Sequence, residues 1–434
     1  MTDTFIATRF SRAFRSLAFL FVGGAVSHAT TNQFRGVNWA DPRDNFQSGV
    51  LYLSGLTSSD NNASAKIVAD KIMSQFASKL GTNTVRLPIN EATATTGWSM
   101  YTGVLDVALA KARVILCYWG PAHGAAPPNM TNWWSMWSTV VAKYGTDKNF
   151  YVEIYNEPNM YNKTTLSTLY ADWLQKFPNF PQDHIILDGT GMAQNVPDIG
   201  SDSRFNKCLL AVHDYSMWGA ETYTEAQWSA HLKGEIGSYS DRTVATEWGG
   251  PMSTGTKNGT TYPPQDFTST SASATYFVKY IRGMAEQLRS AKMGGCYWAG
   301  LKDNDWYSMM TKTGTGANIV LTVANASGLG RLQYSWFDTS AAVDRSGSLS
   351  NLSPRLSFDR SRKVLRVEGS SSGPTTVRLF KADGELVRSS VVGNESIMNH
   401  ARTVDVSALP EGMYLANLEI DGQVASSDKF FIGK

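Results

Sequence analysis

Between residues 34 and 300, short apolar runs alternate with longer amphipathic stretches. The runs are FRGVNWA (34–40), NTVRLPI (83–89), RVILCYW (113–119), YVEIYNE (151–157), HIILDGT (184–190), LLAVHDY (209–215), TVATEWG (243–249) and GCYWAG (295–300). They are rich in β-branched and aromatic residues and apolar at most positions. That is the pattern of strands covered on both faces, hence of a parallel sheet. The stretches between them carry helical period. In ASAKIVADKIMSQFASKL, Ile67, Ile72, Phe76 and Leu80 fall near one face. TNWWSMWSTVVAKYG is predicted to open on a capping Thr131 and close on Gly145. TSASATYFVKYIRGMAEQLRSAKMGG is predicted to end at Gly294, and a last helix to run from Leu329 to Trp336. Eight alternations predict an α/β fold, a closed (β/α)8 TIM barrel. An open doubly wound sheet would want a Gly-rich phosphate turn after the first strand, and NWADPRDN is not one.

The pattern changes after the barrel. SGSLSNLSP (346–354) is polar and Ser-rich, which places a linker at 339–354. KVLRVEG, TTVRLFKADGELVRSS, RTVDVSAL and GMYLANLEIDGQVASSDKFFIG then alternate apolar with polar residues. With turns at Asp383–Gly384 and Asp421–Gly422, they predict a small antiparallel β-sandwich over 355–434. At the other end, Arg9, Arg12 and Arg15 precede an apolar run from Leu17 to Val26, and Ser27 and Ala29 suit cleavage after Ala29. Residues 1–29 thus have the order of a secretory signal, and the run is too short to span a membrane. The expected domains are signal 1–29, barrel 30–338, linker 339–354 and sandwich 355–434.

Composition adds three points. The formal charge of +2, from 39 basic and 37 acidic residues among 434, argues against a nucleic-acid or membrane partner and suits a neutral one. All 13 tryptophans lie between Trp39 and Trp336, so the two parts of the chain differ in chemistry. Cys117, Cys208 and Cys296 are too few for a disulfide scaffold and are read as buried apolar thiols. No metal-ligand spacing such as CxxC or HExxH occurs, so no metal or cofactor is expected.

Polar residues collect at strand C-termini, where the loops of such a barrel carry chemistry. Arg86 ends strand two, Asn156 and Glu157 strand four, His213, Asp214 and Tyr215 strand six, Glu247 strand seven and Trp298 strand eight. Two carboxyl groups at one mouth suggest acid/base or covalent chemistry.

YVEIYNEP resembles the acid/base motif of glycoside hydrolase family 5, in the retaining clan A of (β/α)8 barrels, and TVATEWGGP resembles its nucleophile motif. FRGVNW, NTVRLP, HDY and CYWAG occur in the family's order over residues 31–338. The resemblance implies Glu157 as acid/base and Glu247 as nucleophile. It implies Asn156 on the sugar 2-hydroxyl, Arg86 supporting the nucleophile, His213 and Tyr215 beside it, and Trp298 as a stacking floor. Trp39 and Trp119 are further expected at the site, as are Asp303 and Trp306 of WAGLKDNDWYS, with Asp305 beside them. Arg86 is expected to lower the pKa of Glu247. A buried setting beside Asn156 would keep Glu157 protonated. The third strand departs from the family: VILCYW has Cys117, Tyr118 and Trp119 where a His is common, and His123 lies four residues on. TNWWSMW is assigned to packing against the barrel rather than to a substrate platform.

VDVSALPEGMYLANLEIDGQVASSDKFFIGK resembles the C-terminal sorting domain of type IX secretion substrates, through its Leu-Pro-x-Gly-x-Tyr pattern (Leu409–Tyr414) and terminal strand. A carbohydrate-binding module is the competing reading. The expectation is a secreted or cell-surface bacterial β-glycanase, most simply an endo-β-1,4-glucanase acting by double displacement. Its partners would be a β-glycan and the secretion machinery; neither nucleic acid nor a membrane span is expected, and the chain would be monomeric. The alternatives are an exo-acting glycosidase on a side-chain or furanose sugar and a non-catalytic carbohydrate-binding barrel.

Overall fold

The computed structural model describes residues 31–44, 47–120, 126–216, 221–336, 355–359, 363–368, 375–381, 385–393, 402–420 and 423–433. The expected signal, the linker, His123 and the two Asp-Gly turns lie outside the described residues. Eight parallel strands close into a barrel: β1 (Arg35–Trp39), β2 (Thr84–Ile89), β3 (Arg113–Tyr118), β4 (Phe150–Glu153), β5 (Ile185–Asp188), β6 (Leu209–Tyr215), β7 (Thr243–Gly249) and β8 (Gly294–Leu301). A helix follows each: α1 (Asn62–Gln75), α2 (Trp98–Lys111), α3 (Met130–Tyr144), α4 (Lys163–Lys176), the short α5 (Val196–Gly200), α6 (Glu225–Ile236), α7 (Tyr276–Ser290) and α8 (Ala326–Trp336). The fold is a (β/α)8 barrel.

Strand alternation sorts the side chains into two layers. Val37, Trp39, Val85, Leu87, Val114, Leu116, Val152, Leu187, Val212 and Trp248 face outward into one large core shared with the helices. Ile115, Tyr151, Ile186, Leu209, Ala211, Val244 and Cys296 face inward and fill the barrel. The inner layer is tight: a Cβ on Gly36 of β1 would lie 2.3 Å from the Cys296 sulfur of β8, so only glycine fits.

Three helix predictions need correction. Ile67 is about half exposed, and Val68 takes its place on the buried face with Ile72, Phe76 and Leu80. Helix α3 is capped by Asn129, whose Oδ1 accepts the Asn132 N–H at 3.0 Å, not by Thr131. Helix α7 stops at Ser290, and Lys292 at φ +53° turns the chain into β8, of which Gly294 is the first residue.

Two antiparallel sheets follow the barrel. One orders the strands 386–393, 375–381, 412–420 and 423–432; the other orders 355–359, 364–368 and 402–405. Leu365, Val367, Val377, Leu379, Val404, Leu418 and Phe430 form one core between them, so the unit is a sandwich. Tyr414 of the Leu-Pro-x-Gly-x-Tyr pattern donates its hydroxyl to the Pro410 carbonyl at 2.8 Å. No helix among the described residues is long and apolar enough to cross a membrane.

Candidate active site

Inward alternation brings Asn38 of β1, Arg86 of β2, Cys117 of β3, Glu153 of β4, Asp188 of β5 and His213 of β6 to one end of the barrel. Glu247 reaches the same place by a different route. On β6, Ala211 pairs with Val244 and His213 with Glu247; on β8, Gly295 pairs with Ala245 and Tyr297 with Trp248. Both partners advance two residues where β7 advances three. This β-bulge inserts one residue in β7 and aims Glu247 inward beside Thr246, as bulges near active sites do. Glu157 lies beyond the end of β4 in the left-handed region (φ +50°), which costs a non-glycine residue about 1–3 kcal/mol. Its N–H donates to Asp188 Oδ2 at 2.9 Å, which helps hold that turn.

Arg86 is the hub. Its Nε donates to Glu153 Oε2 at 2.7 Å and its Nη2 to Glu153 Oε1 at 2.8 Å and to Asn156 Oδ1 at 2.6 Å. Its Nη1 donates to Glu247 Oε1 at 2.5 Å and to Asn38 Oδ1 at 3.0 Å. The Asn38 amide in turn donates to the Thr246 and Cys296 carbonyls at 3.0 and 3.1 Å. The Tyr215 hydroxyl donates to Glu247 Oε2 at 2.9 Å. His213 bridges the acids: its Nδ1 lies 3.0 Å from Glu157 Oε1 and 3.8 Å from Glu247 Oε2, and its Nε2 2.9 Å from Thr246 Oγ1. Carboxylate oxygens of Glu157 and Glu247 lie within 4.8 Å of each other.

The charges follow from burial and pairing. Burial opposes charge on Arg86, but Glu153 and Glu247 hold its pKa well above the ordinary value. Burial likewise opposes protonation of His213, but Glu247, Glu153, Glu157 and Asp188 raise its pKa well above the ordinary histidine range. Burial would raise Glu153, yet Arg86 and His213 hold it well below the ordinary carboxylate range. For Glu247, burial wins: its pKa rises although His213 and Arg86 pull it down. Arg86 does lower it, as the sequence expectation had it, but burial outweighs that pull. Burial also raises Cys117, so its thiol stays protonated beside Arg86 Nη2 at 3.0 Å. Cys117 is therefore a polar neighbour of the hub and not only an apolar filler.

Of the other expected site residues, Trp298 and Trp119 lie together at the mouth, ring centroids 5.8 Å apart, with Tyr307, Phe277 and Leu51 around them and Tyr215, Tyr262, Tyr276 and Trp306 on the border. Trp39 stands elsewhere. It faces outward, fully buried in the helix–barrel core, and its indole N–H donates to the Ser54 carbonyl at 2.9 Å. Asp303 pairs with Lys312 at 3.4 Å, and Asp305 pairs with Lys302 at 3.0 Å while accepting the Tyr307 N–H at 2.8 Å. Both aspartates hold the loop after β8. Trp133 and Trp137 are fully buried against the barrel, as expected for packing.

Sequence reading missed Glu153, Asn38, Asp188 and Thr246. A signal existed for Glu153: an acid inside a buried apolar run needs a buried cation. Strand parity also placed Asn38, not Trp39, on the inner face.

No family model matches this chain, and no curated protein matches it. Solved structures are similar to it at low identity. An endo-β-1,4-glucanase triple mutant from Xanthomonas axonopodis pv. citri shares 15% identity, over 69% of this chain and 98% of that one, with a TM-score of 0.49. Cel5A (EG2) from Hypocrea jecorina shares 18%, over 69% and 97%, with a TM-score of 0.47. The Pseudomonas stutzeri endoglucanase Cel5A in complex with cellobiose shares 13%, over 70% and 92%, with a TM-score of 0.46.

Proposed function

We propose that this chain is a secreted retaining glycoside hydrolase of family 5, cleaving a β-linked polysaccharide, most simply as an endo-β-1,4-glucanase. The observation that carries the proposal is the approach of Glu157 and Glu247 oxygens to within 4.8 Å across the barrel mouth. Carboxyl groups about 5–5.5 Å apart suit double displacement, whereas an inverting enzyme needs about 6.5–9.5 Å to fit a water between them.

In this reading Glu247 attacks the anomeric carbon while Glu157 gives its proton to the leaving oxygen. Arg86 and Tyr215 each hold one Glu247 oxygen and aim the carboxylate. The division of labour rests on Arg86 and Tyr215, which donate to the two Glu247 oxygens and favour its carboxylate form against the burial that raises its pKa; Glu157 is then the proton donor. After the glycosyl-enzyme forms, Glu157 has lost that proton and can take one from the incoming water. Asn156 Oδ1 accepts from Arg86, and its NH2 group is a donor for a sugar 2-hydroxyl. Trp298 offers an aromatic face for sugar C–H groups.

Residues 1–29 would direct export, 30–338 form the catalytic unit, 339–354 link it and 355–434 carry the sorting signal of type IX secretion. A second reading, an exo-acting glycosidase, draws support from Trp119, which packs on Trp298 where relatives of the motif commonly carry His. Product length on glucan, xylan and mannan separates the two: an endo-enzyme releases mixed oligosaccharides early. Proton NMR of the first-formed anomer tests the mechanism. The β-anomer is expected, and first-formed α-product would overturn it.

A further inference from the structure

On the outer face of β6, opposite His213, a second set of ionisable groups meets outside the candidate active site. Asp214 is almost completely buried, and neither of its carboxylate oxygens has a hydrogen-bond partner among the described residues. Two side chains of α6 face it. His231 and Glu235 stand one helical turn apart, with His231 Nε2 3.3 Å from Glu235 Oε1. The second Glu235 oxygen is also buried and without a hydrogen-bond partner. One ligand atom from each of Asp214, His231 and Glu235 lies within 4.8 Å of the other two.

A buried acid and a largely buried one beside one partly exposed imidazole are short of positive charge. Burial, reinforced by Glu235, pushes the Asp214 carboxyl well above its ordinary range, although His231 opposes the shift. No Lys or Arg pairs with either acid among the described residues. A divalent cation would balance both. The spacing suits one: ligands at about 2.0–2.1 Å in a tetrahedron are about 3.3 Å apart, the separation already present on α6. An imidazole nitrogen with two carboxylate oxygens is a donor set for zinc and its neighbours rather than for calcium or magnesium. The partly exposed edge of His231 leaves an entry path.

We propose that Asp214, His231 and Glu235 bind one divalent cation of the zinc class, which ties β6 to α6 behind the catalytic strand end. Its role is structural, because Asp214 points away from the cavity that holds Glu157 and Glu247.

The catalytic acids also gather around His213 and could hold the same metal, so the test must separate the two places. Untagged full-length chain, stripped with chelator, is titrated with Zn²⁺ by calorimetry and equilibrium dialysis. One Zn²⁺ per chain is expected, unchanged in the Glu157→Gln/Glu247→Gln double variant. His231→Ala and Glu235→Gln, checked for native circular dichroism, should each weaken binding at least about tenfold. Zn²⁺ should raise the thermal midpoint of the wild type and not that of His231→Ala. The proposal is overturned by no binding at about 100 μM Zn²⁺, by binding that survives His231→Ala, or by binding that disappears with the catalytic pair.

Discussion

Glu153→Gln tests whether the buried hub holds the barrel mouth together. Glu153 is fully buried and accepts two charge-assisted hydrogen bonds from Arg86, with His213 Nε2 3.6 Å away. Glutamine keeps one acceptor but turns an NH2 group toward a guanidinium N–H, so one bond is replaced by two facing donors. It also leaves Arg86 and His213 as two cations against Glu247. Removing one partner of a buried ion pair costs about 3–5 kcal/mol. At about 2 °C per kcal/mol for a domain of this size, the thermal midpoint should fall by roughly 6–10 °C. The loss should depend on pH. Glu153 has a depressed folded pKa, so its contribution is complete above its unfolded pKa near 4.5 and is lost as pH falls below that. His213 has a raised folded pKa, so the contribution it draws from Glu153 is complete below its unfolded pKa near 6.5 and fades as pH rises toward the folded value. The difference between variant and wild type should therefore be greatest between about pH 4.5 and 6.5. Calorimetry at pH 4, 6 and 8 measures it. A midpoint within about 1 °C of wild type at pH 6 would refute the hub.

Three further outcomes are expected. Wild-type stability should decline as pH rises above about 6.5, because the unfolded chain releases the His213 proton that the folded chain keeps; His213→Gln should flatten that limb of a urea-unfolding pH series. Trp39→Leu should lower stability by about 2–4 kcal/mol in urea while leaving KM unchanged, since Trp39 faces the helices; a raised KM with unchanged stability would return it to the substrate site. Gly36→Ala should destabilise by about 1–3 kcal/mol through its clash with Cys296, and adding Cys296→Ala should recover part of that loss.

The eight strands were legible because a doubly covered strand writes an unbroken apolar run. That Arg86, Glu157, His213, Tyr215, Glu247 and Trp298 gather at one barrel mouth was legible because barrel strands converge at their C-terminal ends. Two kinds of information were not. The β7 bulge that aims Glu247 has no mark in TVATEWG, since it is set by pairing with β6 and β8. The sign of the Glu247 shift depends on how burial, two cations and a neighbouring acid sum in three dimensions, which a single Arg–Glu pair does not reveal. Trp39 and Asn38 are different: strand alternation already distinguished them, and weighting aromatic residues over parity chose the wrong one. Helix ends were also misplaced, because Asn129 and Thr131 are both acceptable caps and local sequence does not choose between them.

The most direct measurement is the rate of glycan hydrolysis by Glu157→Gln, Glu247→Gln and the double variant, each folded as judged by circular dichroism, on a substrate the wild type cleaves. Each single variant should lose at least about 1,000-fold in kcat/KM, and the double variant should be little worse than the poorer single one, because the two groups act as a unit. Retention of more than about a tenth of wild-type activity in either single variant would contradict the pairing of these two acids in one reaction.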